Sequence, residues 1–150
     1  MSQLVLRAFR YALSMSLAAA LLGAAPAVAE TYTFLASLNG ANEVPPNNAK
    51  GTGSLLATYD TTTKKLTWTI TYAGLTGTPV GGHFHGPAGP GENAPIEVPV
   101  TIGPSPIQGA ATLTPAQEKD LLDGNVYFAI HTQAYPMGEI RGQVSQAEPG

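Results

Sequence analysis

The 150-residue sequence contains no cysteine. Disulfides, thiolate metal sites and cysteine nucleophiles are therefore excluded, and stability has to come from packing or from a bound ion. Positive charge is also scarce, with seven Lys and Arg against ten Asp and Glu. That balance argues against nucleic acid or anionic lipid as a partner. Charged residues make up only 11% of the chain, while Gly and Pro number 17 and 13. Such a mixture suits strands and tight turns better than solvated helices. Neither Ser54 nor Ser105 stands in a Gly-x-Ser-x-Gly elbow, so a serine nucleophile has no support. The glycine-rich run 86–91 lacks the Lys-Ser/Thr of a phosphate loop. No catalytic residue is assigned.

The long apolar run lies near the beginning. Arg7 and Arg10 form a positive segment, Tyr11 to Gly23 an apolar one, and Ala27-Val28-Ala29 a small-residue cleavage motif, the order expected of an export signal. The apolar stretch is short for a membrane span of ~20 residues and runs into Ala25-Pro26-Ala27. Residues 1–29 are thus expected to be a signal peptide cut before Glu30. Residues 30–150 are expected to form a single periplasmic or secreted domain with no membrane span. Its basic residues are Lys50, Lys64, Lys65, Lys119 and Arg141.

Past the signal, alternation of apolar and polar residues predicts a strand at 31–38, a hairpin of 53–59 and 65–72 turning at 60–64, and further strands at 80–85, 96–102, 107–113, 125–132 and 139–144. Trp68 is the expected central aromatic of the core. Pro99 marks an edge or a bulge. One helix is expected: Thr114 as N-cap, Pro115 at the first helical position and Gln117 completing a capping box, with the end near Asp123-Gly124. The Gly/Pro-rich stretches 39–51 and 86–95 read as loops, and 146–150 as a frayed tail. The predicted class is all-β, an antiparallel sandwich of Greek-key or immunoglobulin-like type with one short helix.

The chain has three histidines, in Gly82-His83-Phe84-His85-Gly86-Pro87-Ala88 and Ala129-Ile130-His131-Thr132. A strand sends alternate side chains to opposite faces, so His83 and His85 point one way and Phe84 the other. In the second segment Val126, Phe128 and Ile130 form the apolar stripe, leaving Tyr127, Ala129 and His131 opposite. If Phe84 and Phe128 share a core and the strands are neighbours, the imidazoles share the other face. Three imidazoles from two rigid strands suit a transition metal at about 2.0–2.2 Å, copper first and zinc second. Parity puts Glu139, Arg141 and Gln143 on the same side, so Glu139 is the candidate fourth ligand or the acceptor that orients a ring N–H. Met137 is a weaker candidate, with hydrophobic packing the plainer use of its side chain. Arg141 is expected to pair with Glu139, and Glu92 and Glu97 to be solvated.

His83-Phe84-His85-Gly86-Pro87-Ala88, followed by Asn93-Ala94-Pro95, Ile130-His131-Thr132 and Gly138-Glu139-Ile140-Arg141-Gly142-Gln143, resembles the CHRD domain family, named after repeats in chordin. The likeness runs from about Tyr32 to Gln143. It implies an exported β-domain. Its animal members are modules of a secreted growth-factor-binding protein, which implies a noncatalytic adhesion or protein-interaction module as the alternative to metal binding. The His-x-His strand also looks like the copper site of the Cu/Zn superoxide dismutases, but the additional histidines and the cysteine pair of those enzymes are missing. The expected function is metal carriage, buffering or sensing. Redox activity is expected only if an open coordination position admits a small oxidant.

Overall fold

The structure is a computed structural model that describes residues 18–26 and 28–148. Most of the segment read as an export signal lies outside the described residues. Among those described, no helix is long and apolar enough to cross a membrane.

Apolar residues at every second position define the first three strands. β1 (Thr31–Asn39) buries Phe34, Ala36 and Leu38, β2 (Thr52–Asp60) buries Leu55, Ala57 and Tyr59, and β3 (Lys65–Ala73) buries Leu66, Trp68 and Ile70. Asp60 fixes the β2–β3 turn, its Oδ1 accepting from the backbone N–H groups of Thr62 and Thr63 at 2.8 Å each. β4 (Pro79–His85), β5 (Ile96–Val100) and β6 (Ile107–Thr112) follow, then helix α1 (Pro115–Leu122). The helix opens as its sequence predicts: Gln117 N–H donates to Thr114 Oγ1 at 3.3 Å, and Thr114 N–H donates to Gln117 Oε1 at 2.9 Å. β7 (Tyr127–Thr132), β8 (Ile140–Gln143) and β9 (Ser145–Gln146) complete the chain.

All the strands belong to one antiparallel sheet in the order β5-β4-β7-β8-β1-β2-β3-β6, with β9 also on β1. The sheet rolls into a nearly closed barrel. Among the described residues the all-β antiparallel class with one α-helix is as expected from the sequence, and the pairing runs through a single continuous sheet, from which the finer Greek-key sandwich arrangement does not follow. The link is made where Asn39 pairs with Arg141 and β9 pairs with Phe34 and Leu35. Inside the roll, Trp68 packs on Phe84 with ring centroids 5.2 Å apart, and Phe84 on Phe128 at 5.0 Å. Pro99 sits in β5, an edge of this sheet.

The end of the chain departs from the prediction. Val144 is buried and its N–H donates to Val126 at 2.9 Å, after which the chain crosses to β1 and Ala147 N–H donates to Thr33 at 2.8 Å. Residues 145–147 are thereby paired and not frayed.

Candidate metal centre

β4 and β7 are hydrogen-bonded neighbours. Their register sets Gly81 opposite His131, His83 opposite Ala129 and His85 opposite Tyr127. Phe84, Val126, Phe128 and Ile130 point into the core, so the other face carries Gly81, His83, His85, Tyr127, Ala129 and His131. Small residues make the crowding possible. A Cβ at Gly81 would lie 3.2 Å from His83 Cε1, and Ala129 faces His83 across the pair.

The three imidazoles form a triangle. Ring centroids are 5.0 Å apart for His83–His131, 5.5 Å for His83–His85 and 6.0 Å for His85–His131. One nitrogen from each ring lies within 4.8 Å of the other two. Donors at about 2.0–2.1 Å from one ion stand ~3.3–4.2 Å apart, a spacing to which the histidine nitrogens come near.

Backbone carbonyls decide which nitrogens carry protons. His85 Nδ1 is 2.9 Å from the Ala94 carbonyl and His131 Nδ1 is 3.0 Å from that of Pro136. A carbonyl only accepts, so each Nδ1 bears the hydrogen and each Nε2 is left with a lone pair. Those Nε2 atoms and His83 Nδ1 are buried and have no hydrogen-bond partner. Buried polar atoms are normally paired. Three unpaired ones on adjacent rings, in a cluster that could hold a metal ion, are compatible with metal binding. Burial lowers the pKa of His83 and His85; nearby His131 and His85 add to the effect on His83, while the bond to Ala94 opposes it for His85.

Glu139 and Met137 lie outside this group. Chain direction turns before β8 begins at Ile140, so strand parity does not extend to Glu139. Its carboxylate is fully buried and taken at both oxygens, Oε1 accepting from Thr76 N–H at 2.7 Å and Oε2 from the Thr132 hydroxyl at 2.6 Å. Met137 is 84% exposed. The expected Arg141–Glu139 pair is not formed. The Arg141 guanidinium lies 3.4 Å over the Tyr127 ring and donates to Asn93 Oδ1 and to the carbonyls of Gly89 and Glu92. Glu97 is also not the solvated charge expected of it: it is half-buried, and burial with neighbouring Asp120 raises its pKa to about 7.

Sequence reasoning passed over three other members of the site: the carbonyls of Ala94 and Pro136, and the Tyr127 ring, stacked on His85 at 4.8 Å and 1°. Backbone acceptors have no sequence signature. Tyr127 was legible only as a residue on the histidine face.

A family model for the CHRD domain matches residues 34–144. No curated protein and no solved structure matches the chain.

Proposed function

The chain belongs to the CHRD-domain family, and from that premise we propose that it is an exported domain that binds one transition-metal ion through His83, His85 and His131. Copper is the first candidate and zinc the second, and the role is metal carriage, buffering or sensing. The observation that carries this reading is the set of three buried, unpartnered ring nitrogens on neighbouring strands, two of them held as lone pairs by carbonyl groups. All-nitrogen donors of intermediate softness suit Cu(II) and Zn(II). With three protein ligands, a fourth position falls to water or to a small exogenous group.

The test is direct. The purified protein is stripped with a chelator, titrated with Cu(II) or Zn(II), and melted with and without metal alongside His85→Ala and His131→Ala. One ion per chain is expected, with stabilisation of roughly 3–4 kcal/mol at 100 to 1,000 times the dissociation constant. Either variant should abolish most of it. Variants that respond like the parent would remove the histidines from any binding role.

That outcome would favour a second reading, an interaction module that docks a protein on its loops. One observation supports it: Asn93 Nδ2 donates to the Val44 carbonyl at 2.9 Å, and the 39–51 and 86–95 loops together line a cleft of about 310 Å³ with Ala41, Val44, Pro46 and Pro90.

A further inference from the structure

Arg141 is 1% exposed, yet neither ion pair among the described residues involves it. A buried guanidinium without a carboxylate partner is costly unless other groups replace its hydration. Here those groups come from one segment. The loop 86–95 supplies Asn93 Oδ1 at 3.1 Å to Nη1, and the carbonyls of Gly89 at 3.3 Å and Glu92 at 2.6 Å to Nη2. A planar fork can span three such acceptors. A point-charge ammonium cannot.

The same loop ends at the metal centre. Its Ala94 carbonyl accepts from His85 Nδ1 at 2.9 Å, and Ala94 is also gripped by Tyr127, whose hydroxyl accepts from Ala94 N–H at 3.1 Å and donates to Ala94 O at 3.3 Å. Tyr127 stands between His85 and Arg141, because β7 lies between β4 and β8 in the sheet. One face of its ring stacks on the imidazole and the other receives the guanidinium.

We infer that Arg141 is a positioning residue for the metal centre, holding the 86–95 loop and the Tyr127 ring so that Ala94 fixes the tautomer and angle of His85. This deepens the metal-binding reading and rests on it. Arg141 touches neither the ion nor its ligands. It acts through the loop carbonyls and through Tyr127, in a loop that combines Gly86, Gly89 and Gly91 with Pro87, Pro90 and Pro95.

The test compares the full-length parent with Arg141→Met, Arg141→Lys and Tyr127→Phe. Zinc affinity is measured by competition with a chromophoric chelator, and the His85 tautomer by ¹⁵N NMR of the metal-free imidazoles. Arg141→Met is expected to weaken zinc binding about 10- to 100-fold and to turn the single His85 Nδ1–H tautomer into a mixture. Arg141→Lys should restore only part of either, and Tyr127→Phe should reproduce the tautomer mixture. Should Arg141→Met not fold, the same two readouts on the Lys variant decide. A parent that takes no metal ends the metal-binding reading, while the NMR still reports whether Arg141 governs His85. Parent-like affinity and tautomer in the arginine variants, whatever their stability, would overturn the inference.

Discussion

A metal ion bound as proposed would compete with protons for the lone pairs of the histidine face. The ordinary histidine pKa is 6.5, and both His83 and His85 lie below it, chiefly because burial disfavours the imidazolium. The unfolded chain therefore binds more protons than the folded one as pH falls below 6.5, and the metal-free fold loses stability in that direction. Neutral imidazole is also the ligating form. Affinity for zinc is expected to be nearly level from about pH 8 to about 6.5 and to fall only below that, as calorimetric titrations at three pH values would read. A decline complete by neutrality would contradict the assigned ligands. Glu43 behaves in the opposite sense. Burial raises its pKa to about 7, with Arg141 pulling partly back, and its Oε1 is buried without a partner. The folded state holds this proton more tightly than the unfolded one, so the contribution to stability is complete below 4.5 and lost as pH rises through about 7. Glu43→Gln is accordingly expected to be more stable than the parent at pH ~8, by about 1–3 kcal/mol, and equal to it near pH ~4. Urea unfolding at the two pH values measures the difference; no gain at the higher one would mean that the carboxylate is satisfied in solution.

At the scale of the element, period-two alternation was enough to locate β1, β2, β3 and β7 within a residue or two, because each buries one complete stripe. The same parity places His83, His85 and His131 on one face, where the β4–β7 register holds them. It failed for Glu139 because parity is a property of strand, and 139 is still in the turn, where its carboxylate ties the β3–β4 connection to Thr132. The helix start was legible from Thr114-Pro115-Ala116-Gln117, since capping chemistry is local. The fate of Arg141 was not. Which acceptors a buried guanidinium meets depends on a loop roughly fifty residues away in the chain, and no local pattern encodes that meeting. β9 was missed for a similar reason: two exposed residues become a strand only because β1 offers them an edge.

In the whole molecule, the same limit explains why the continuity of the sheet was not legible in the sequence: the pairing of β8 and β9 with β1 is a long-range choice made by backbone fit. That fit is tight at Gly142. A Cβ there would lie 2.3 Å from the Ser37 carbonyl oxygen and 2.9 Å from Leu38 Cδ2, and backbone cannot swing aside as a side chain can. The seam joins the half of the sheet that carries the histidines to the half built from β1, β2, β3 and β6. Gly109 supplies a matched control in the second half, where a Cβ would meet the Trp68 indole at 2.7–2.8 Å. Gly142→Ala and Gly109→Ala are each expected to cost about 2–4 kcal/mol by overpacking, measured by urea unfolding. Their effects on the metal centre should separate. Displacing Gly142 moves β8, which pairs Gly142 with Phe128 and holds Arg141 over Tyr127, so zinc affinity should fall about tenfold or more. Straining Trp68 pushes on Phe84, which lies between His83 and His85 in β4, but leaves β8 and Arg141 in place, so the Gly109 variant is expected to lose less zinc affinity than the Gly142 variant. Equal affinities in the two variants would show that the centre depends on β4 and β7 alone and that the seam has no part in holding it.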